Sequence, residues 1–383
     1  MAVLVKALQD LTRLPRASQR AVGAIMGAIV ADAATRPFHW VYKQENIEEA
    51  LSQSSDDSLV FWPVSRSPFY NIPTGRRSCY SDECVCMLHS LPSAASTSPA
   101  AEAYSIDSYT QQLKIRFGPD SDYAQALAER KLQYDGSQRL THADPMNGPW
   151  QNQSVTTFLA TGEGERSIDE SDGMCGAIPL VVWLAAGSDG GRKREDGMRL
   201  VQSAIQTLSA SASSVEHAMC VAHLLHRLVA EESCQEEESF LNILLDLQTQ
   251  YCSDTDSERD LALHEEIQAA LDANQKGEEH FVASVAEFGK ACAFPGSFQG
   301  SLLTVLSSTS FRDGVEKNLR GGGCNCSRAN MAGALLGARW GVELGAAEGG
   351  GEGERGVPVA WIEQTEGGGG SCSPWLWTSL DDP

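Results

Sequence analysis

Two short segments of the sequence place reactive side chains close together. In the first, CYSDECVCMLHSL, the residues Ser81, Asp82 and Glu83 stand side by side. Clustered carboxylates and hydroxyls are the hard oxygen ligands that a divalent cation prefers. Adjacent acidic residues at the start of a helix also interact favourably with the helix dipole, without any ligand. The segment is therefore either a cation site or an ordinary helix start.

The second segment is RGGGCNCSRANMAGALLGARWG, in which Cys324 and Cys326 follow three glycines. Glycine permits positive φ and close backbone approach, so we expect a tight turn here. Asn325 and Ser327 are suitable N-cap residues for a helix that follows. The two thiols are soft ligands for zinc or copper(I), partners in a reversible disulfide, or small buried hydrophobic groups.

A second pair of thiols one residue apart, Cys84 and Cys86, lies in the first segment. Residues i and i+2 of a helix do not face the same way, so we expect only one of the two to point inward. That excludes a four-thiol metal centre. A zinc ion bound by Cys84, Cys324 and Asp82 stays open, beside a reversible disulfide and inert buried thiols.

Helices are predicted to position these segments. In AVGAIMGAIVADAA the apolar residues recur at helical spacing and form one face, namely Val22, Ile25, Met26, Ile29 and Val30. Small residues form ridges on this helix and on the one after the second segment, namely Gly23, Gly27 and Ala31, and Gly333, Gly337 and Gly341. Each ridge allows a neighbouring helix to pack very close.

The remaining pattern predicts an all-α domain. Residues 38–80 are rich in aromatic residues and prolines and are predicted to form a long ordered loop, and residues 135–173 hold mostly turn residues. Helical patterns cover 82–90, 107–117, 123–134, 177–186, 199–209, 215–230, 239–249, 261–273, 282–292 and 311–319, and Ser297 is expected to cap a further helix. We expect an N-terminal extension over 1–20, one domain over 21–365 with a flexible insert at 345–356, and a tail over 366–383.

Composition limits the partners. The chain has 383 residues and a formal net charge of −22, with 51 acidic against 29 basic side chains. Such a surface does not favour nucleic acid or an anionic membrane. We also expect no membrane span and no secretory signal, hence a soluble cytoplasmic protein, with a transit peptide as the alternative for the opening residues. The eleven cysteines are too sparse for a disulfide scaffold.

Three of these motifs together resemble the ADP-ribosylglycohydrolase superfamily. GAIMGAIVADAA is similar to the family's glycine-rich first helix, with Asp32 at the family's aspartate. SDEC, from Ser81 to Cys84, and GGCNCS, from Gly322 to Ser327, stand where the family carries its two short acidic motifs. The resemblance runs from about Val22 to Trp361 and implies a compact multi-helix orthogonal bundle.

The resemblance also implies a metal site. In the family the two short motifs hold a pair of magnesium ions, and the corresponding positions here are Ser81, Asp82, Glu83, Cys324, Cys326 and Ser327. Asp82 and Glu83 would be the catalytic, metal-holding or water-positioning groups. Magnesium prefers oxygen ligands, so thiols at two positions make an ordinary two-magnesium site unexpected. Zinc or no metal are the alternatives.

The same comparison implies substrate-binding residues. Ser171, Asp172 and Gly173 begin the segment SDGMCGAIP, where the family carries a glycine-rich turn and an arginine. That arginine is absent and Gly176 is its nearest counterpart, so recognition of a pyrophosphate is weakened. His39, beside Trp40, would either stack on a base, contact a ribose or pack under a loop. The expected partner is ADP-ribose, or an ADP-ribosylated small molecule or protein.

One branch of the family is more similar than the others. PFHWVY, FPGSFQGSLLTVL, GGGCNCSRANMAGALLGARWG and GVPVAWIEQT resemble the crystallin J and selenoprotein J group. We therefore predict an ADP-ribosylglycohydrolase-like protein with altered metal motifs and weak or no magnesium-dependent ADP-ribosyl hydrolysis. The alternative is an active hydrolase of an ADP-ribosyl or related N- or O-glycosidic bond.

Overall fold

The computed structural model describes residues 10–55, 57–92, 104–133, 145–187, 193–230, 237–253, 258–343 and 355–366. In this part of the chain sixteen α-helices are present, which confirms the all-α prediction. The first eight are α1 Arg16–Thr35, α2 Gln44–Gln53, α3 Cys79–Ser90, α4 Ile106–Phe117, α5 Asp122–Gln133, α6 Gln153–Thr161, α7 Asp172–Ala185 and α8 Arg194–Gln206. The others are α9 Ala212–Ala230, α10 Glu237–Ser253, α11 Glu258–Gln275, α12 Phe281–Phe288, α13 Gly296–Ser307, α14 Phe311–Arg320, α15 Asn325–Trp340 and α16 Val359–Gln364.

Extended structure is minimal among the described residues. Two two-residue strands, β1 Tyr70–Asn71 and β2 Met146–Asn147, pair in parallel, with Tyr70 opposite Met146. Two short 3₁₀ turns, Arg36–Phe38 and Glu278–His280, follow α1 and precede α12. The first turn contains Pro37, which ends α1 where the sequence predicted.

The centre of the fold is the contact between α1 and α15. A Cβ added to Gly27 would overlap the carbonyl oxygen of Gly333, and one added to Gly337 would overlap the carbonyl oxygen of Gly23. The two small-residue ridges predicted from the sequence are therefore the two faces of one contact. Because the backbones touch, these helices hold their flanking segments in a fixed relationship.

Helix α7 crosses this pair and is buried on all sides. Met174, Ile178, Leu180 and Val181 are fully buried, and the helix packs on α3, α8 and α9. A helix that is apolar all round is typical of the interior of a large domain. Its first turn consequently reaches the centre of the molecule, and Asp172 is carried there with no solvent exposure.

Three helical assignments from the sequence need correction. Helix α2 lies inside the segment that was predicted to be a loop, and α6 lies inside the predicted turn region. Both are short and bury only two or three side chains, so their periodic pattern is too brief to stand out. Helix α7 begins at Asp172, five residues before the predicted start, and includes Pro179.

Two further corrections affect the site. Helix α12 ends at Phe288 rather than Cys292, because Gly289 leaves helical geometry with φ of +107°. Cys292 therefore lies in the connection to α13, whose N-cap is Pro295 rather than Ser297. The N-cap of α15 is Cys324 itself, and the two residues predicted for that role, Asn325 and Ser327, lie inside its first turn.

One helical stretch among the described residues, Arg16–Phe38, is long and apolar enough to cross a membrane by length and composition. Of its apolar window, 94% is buried inside the protein, as in the core helix of a globular domain. The main core cluster draws buried residues from Leu11 to Ile362, and smaller clusters of buried residues lie beside it. The boundaries at residues 20 and 365 stay predictions, and the predicted insert and tail lie almost entirely outside the described residues.

Candidate functional site

The N-terminal turns of three helices meet at one buried site. Tyr80 of α3 places its hydroxyl 3.3 Å from the sulfur of Cys324, the N-cap of α15. Asn152 donates to Glu83 of α3 at 3.4 Å and to Asp172 of α7 at 2.8 Å. Helix N-termini favour negative charge. This arrangement explains why carboxyl and thiol groups can be concentrated here.

Asp32 fixes where α3 begins relative to α1. Its carboxylate accepts hydrogen bonds from the backbone N–H of Ser78 at 2.8 Å and from the Ser78 hydroxyl at 2.6 Å. Burial raises the pKa of Asp32, against the opposing effect of the Ser78 hydrogen bonds. On the other side of α3, Asn330 of α15 donates to the hydroxyl of Ser81 at 3.1 Å. Ser81 thus links α3 to the central pair of helices.

Asp82 faces an arginine cluster rather than the other acids. Arg77 donates to one carboxylate oxygen at 3.0 Å, and Arg116 donates to the other at 2.6 Å. The hydroxyl of Tyr123 donates to that second oxygen at 2.9 Å. Burial alone would raise the pKa of Asp82, but Arg77 and Arg116 outweigh it and hold the pKa below its ordinary value. Both oxygens of this carboxylate are therefore occupied by protein donors.

Glu83 and Asp172 form a buried carboxyl pair. Neither is exposed to solvent, and Oε2 of Glu83 and Oδ2 of Asp172 accept no hydrogen bond from a donor. Burial raises the pKa of Glu83 well above its ordinary value, and the charge of Asp172 adds to the effect. The pKa of Asp172 is raised for the same reason, with Glu170 contributing. Two such carboxyl groups favour a shared proton over two negative charges.

The sulfur of Cys324 is surrounded by hydrogen-bonding groups although the residue is fully buried. His39 Nε2 and the hydroxyl of Ser327 each lie 3.3 Å from it. Burial alone would raise the pKa of this thiol. The hydrogen bond from Cys292 and the charge and hydrogen bond of His39 outweigh burial and hold the pKa well below its ordinary value. Cys324 therefore differs from an inert core thiol.

His39 both packs and contacts the site. Its ring stacks on Trp40 with centroids 4.1 Å apart, as the packing alternative predicted. Its Nδ1 lies 2.8 Å from the hydroxyl of Tyr70, while Nε2 faces Cys324. A histidine held at one nitrogen presents the other in a fixed direction. His39 is consequently oriented towards Cys324 by its neighbours.

The other thiols of the two motifs are elsewhere. Cys326 lies 3.9 Å from the backbone carbonyl of Asp32, and burial raises its pKa. Cys84 and Cys86 are both buried, so the prediction that only one of them points inward was wrong. They do face different neighbours, since Cys86 lies 3.6 Å from the carbonyl of Gln112 on α4. Both can be buried because α3 packs between α4 and α7.

The predicted substrate-binding segment is only partly directed at the site. Ser171 is the N-cap of α7, and its buried hydroxyl makes no hydrogen bond. Gly173 faces α8 instead, and its N–H donates to the hydroxyl of Ser209, three residues after that helix ends, at 2.9 Å. At Gly176 an added Cβ would overlap the hydroxyl of Tyr109. The space beside this glycine is thus filled by a tyrosine.

The structure therefore brings together Glu83, Asp172, His39, Cys324 and Ser327. It turns Asp82, Gly173 and Cys326 towards other neighbours. Sequence reasoning missed several participants, namely Arg77, Tyr80, Arg116, Asn152, Glu170 and Cys292. Arg77 stands five residues before Asp82 and could have indicated an ion pair. Tyr80 lies within the first motif itself, whereas Arg116, Asn152, Glu170 and Cys292 come from separate segments and no local pattern marks them.

The residues present do not suit a pair of magnesium ions. Among the described residues, no group of three or more His, Cys, Asp and Glu side chains is arranged to hold a metal ion. The oxygens of Asp82 are taken by arginines, and the positions of Cys324 and Cys326 supply sulfur. Magnesium demands near-octahedral oxygen coordination. No chemical step is therefore assigned to magnesium here.

The fold and the sequence together define the class of protein. The sequence model of the ADP-ribosylglycohydrolase family matches residues 13–379, nearly the whole chain. This chain belongs to that family. A solved structure described as an ADP-ribosylglycohydrolase-related protein complex has the same fold, with a TM-score of 0.51 and 16% identity over 96% of this chain and 98% of that one.

Two relatives come from Tripedalia cystophora. Crystallin J1A is 25% identical over 356 residues, which is 92% of this chain and 94% of the crystallin. Crystallin J1B is 24% identical over 350 residues, which is 90% of this chain and 92% of the crystallin. The expected similarity to the crystallin J group is confirmed over almost the full length of both proteins.

Proposed function

We propose that this chain is a crystallin J-type ADP-ribosylglycohydrolase relative with weak or no magnesium-dependent hydrolysis of ADP-ribosyl bonds. The observation that carries the proposal is the position of Asp82. A carboxylate whose two oxygens already accept hydrogen bonds from Arg77, Arg116 and Tyr123 is neutralised by protein groups and is a poor ligand for a cation. Magnesium would have to compete with two ion pairs in a buried setting.

The other half of the expected metal site supports the same proposal. Cys324 and Cys326 occupy positions where the family places carboxylates, and thiolates are soft ligands. The zinc alternative with Cys84, Cys324 and Asp82 is also weakened. Cys324 is hydrogen-bonded to His39 and Ser327 rather than to either proposed co-ligand, and Asp82 faces its arginines.

An ADP-ribosyl ligand remains the best-supported partner, because the family acts on ADP-ribosylated substrates. The ligand would be ADP-ribose, or an ADP-ribosylated small molecule or protein. The N-termini of α3, α7 and α15 converge at the site, and helix N-termini are suited to anionic groups. The acidic net charge of the chain does not favour nucleic acid.

The alternative function, an active hydrolase, is favoured by one observation. Glu83 and Asp172 are buried side by side, each with one oxygen that accepts no hydrogen bond. A carboxyl group whose pKa is raised by burial can protonate a leaving group, while a neighbouring carboxylate can act as a base. Such a pair could cleave a glycosidic bond without magnesium.

A turnover assay tests the proposal directly. Peptides that carry ADP-ribose on arginine or serine are incubated with the protein, with magnesium or with a chelator, and released ADP-ribose is measured. We expect no magnesium-dependent release, and robust magnesium-dependent release would overturn the proposal. Calorimetric titration with ADP-ribose measures binding separately. The double substitution Cys324→Asp and Cys326→Asp, which restores oxygen ligands, is assayed in parallel.

The two candidate functions give different results in the same assay. Release of ADP-ribose that persists in chelator and disappears in Glu83→Gln and Asp172→Asn would establish the metal-independent hydrolase. Asp120→Asn is the matched control, because Asp120 is exposed and lies outside the site. Binding without release in every condition would support a ligand-binding protein.

A further inference from the structure

Two cations lie against the glycine turn between α14 and α15. A Cβ added to Gly321 would lie 3.4 Å from Nη2 of Arg328, and one added to Gly322 would lie 3.8 Å from Nζ of Lys290. The backbone carbonyl of Lys290 accepts the N–H of Cys324 at 2.7 Å. The turn therefore places a guanidinium and an ammonium group beside the candidate site.

Arg328 is fully buried, and its hydrogen-bond partners are neutral. Its Nε donates to the side-chain oxygen of Asn318 at 3.1 Å, and its Nη2 donates to the backbone carbonyl of Gly322 at 2.5 Å. Its Nη1 has no hydrogen-bond acceptor. Burial lowers the pKa of Arg328 to about 10, because a charge kept away from water is costly. The Nη1 side is consequently free to donate to a ligand.

Lys290 is the outer cation of the pair. It is partly exposed, and its Nζ donates to Oε1 of Gln44, the first residue of α2, at 3.5 Å. Burial and the charge of Arg328 lower the pKa of Lys290, and the exposed carboxylate of Glu45 opposes them only from a longer distance. Within the described part of the chain, no carboxylate oxygen lies within ion-pairing distance of either cation.

The ends of the two flanking helices do not supply the missing negative charge. The C-terminus of α14 and the N-terminus of α15 both lie at this turn, and their partial charges of roughly −0.5 and +0.5 nearly cancel. A buried water molecule would satisfy the N–H groups of Nη1 but would leave the charge uncompensated. In a chain with a net charge of −22, two neighbouring cations without a carboxylate point to an anionic ligand.

We propose that Lys290 and Arg328 form a binding site for a phosphate-type anion beside the glycine turn. Both side chains are suited to phosphate oxygens, since a guanidinium offers directed N–H groups and an ammonium is a compact charge. The anion enters on the exposed side, contacts Nζ of Lys290 and accepts hydrogen bonds from Nη1 of Arg328. It supplies the counter-charge that the protein itself does not place there.

Two sources can supply this chemistry. One is inorganic phosphate in solution, and binding from this source is independent of the proposed function. The other is a phosphate group of an ADP-ribosyl ligand, and binding from this source rests on the proposed function. The second source is available because the backbone of Lys290 is hydrogen-bonded to Cys324 of the candidate site. Titration with each compound separates the two.

Calorimetric titration of the full chain with inorganic phosphate, with ADP-ribose and with adenosine, which carries no phosphate, measures the site directly. We expect phosphate or ADP-ribose to bind with a Kd that rises about tenfold or more in Lys290→Gln, which loses a charge-assisted hydrogen bond. Lys276→Gln is the matched control, because Lys276 is exposed and ion-paired with Glu287. Its Kd should equal that of the unaltered protein, and neither variant should alter the response to adenosine.

Arg328→Gln keeps a hydrogen-bond donor but removes the buried charge. Because this substitution changes a buried residue, the informative quantity is the rise in Tm that phosphate or ADP-ribose causes within each variant, and circular dichroism checks that the variant is folded. We expect that rise to disappear in Arg328→Gln and to shrink in Lys290→Gln. A full rise in a folded Arg328→Gln protein would show that Arg328 only clamps the turn, against the proposal. If Arg328→Gln does not fold, Lys290→Gln decides.

The possible results separate this proposal from the proposed function. Binding of phosphate without binding of ADP-ribose would support the anion site and remove the ADP-ribosyl ligand. Loss of affinity for ADP-ribose alone in Lys290→Gln would assign the site to a phosphate of that ligand. Equal affinity of Lys290→Gln and the unaltered protein for ADP-ribose, with no binding of free phosphate, would refute the anion site and leave the proposed function standing. Binding of neither compound would refute both.

Discussion

Gly27 and Gly333 meet backbone to backbone where α1 crosses α15, so that a Cβ on either would overlap the carbonyl oxygen of the other. Side chains normally separate packed helices, and here none does. The contact brings Asp32 of α1 and Cys324 of α15 to the same end of the helix pair. The candidate site therefore depends on the absence of side chains at a distance from it.

Gly27→Ala should destabilise the protein strongly. The added methyl group has no room, so the helices must separate, which we expect to reduce the free energy of unfolding by about 3 kcal/mol. Denaturant unfolding measures the change. The control is Gly197→Ala in α8, where a Cβ would lie 3.4 Å from the Leu184 side chain in ordinary contact. That variant should be unchanged or slightly more stable, since alanine favours helix.

Asp82→Asn should leave two arginines without a buried counter-charge. We expect a loss of about 3 kcal/mol in the free energy of unfolding near neutral pH. The pKa of Asp82 is lowered in the folded state, so its stabilising contribution is present above about pH 4 and is lost as the pH falls through the folded pKa. The difference between the two proteins should therefore shrink in acid.

Asp120→Asn at the exposed surface is the control for this experiment and should change stability by less than about 0.5 kcal/mol. Unfolding curves from about pH 7 down to about pH 3 give both differences. A stable Asp82→Asn protein would show that the arginine cluster does not hold this carboxylate, and the case against a metal at Asp82 would fail with it.

Glu83→Gln should stabilise the protein, in contrast to Asp82→Asn. Because the pKa of Glu83 is raised in the folded state, the folded protein binds a proton that the unfolded chain has lost. The unfavourable contribution of Glu83 therefore grows as the pH rises above about 4.3. The amide keeps the shape and can donate to Asp172. We expect a gain of about 1 kcal/mol that is larger at about pH 8 than at about pH 4.

Thermal unfolding across that pH range checks the prediction. Glu170→Gln is a useful comparison, because Glu170 is only partly buried and its carboxylate accepts a hydrogen bond from Ser154. Glu170→Gln should gain less stability than Glu83→Gln. A stability loss in Glu83→Gln at every pH would mean that the charged form of Glu83 is favoured in the fold.

Glu266→Gln should weaken a histidine ion pair between α9 and α11. Glu266 lies 2.6 Å from His217 Nε2. Burial alone would lower the pKa of His217, but this hydrogen bond outweighs it and raises the pKa. The contribution of the ion pair to the free energy of unfolding is therefore full below about pH 6.5. It is lost as the pH rises through the pKa that His217 has in the folded protein. We expect a loss of about 1.5 kcal/mol at about pH 5 and little change at about pH 9.

The matched control is the exposed neighbour Glu265→Gln on the same helix. Its stability should follow that of the unaltered protein at both pH values. Equal destabilisation by Glu266→Gln in acid and in base would show that the pair acts through packing against Phe294, which stacks on His217, rather than through charge.

The sequence by itself determined the helical class, the family and the existence of the two small-residue ridges. These properties are local, because a repeat of about 3.6 residues or a run of glycines is visible within one segment. The shorter helices α2 and α6 were not predicted, since each buries too few side chains to leave a clear pattern in the sequence. Their burial comes from neighbours that are distant in sequence.

Only the tertiary structure decided how the candidate site is composed. Asp82 and Glu83 are adjacent in sequence, yet one faces Arg116 and the other faces Asp172. Consecutive helical residues point in different directions. Which of the two side chains faces the arginines depends on how α4 and α7 pack around α3. The contact of His39 with Cys324 is likewise fixed by long-range packing, because burial and charge act between segments that the chain order does not connect.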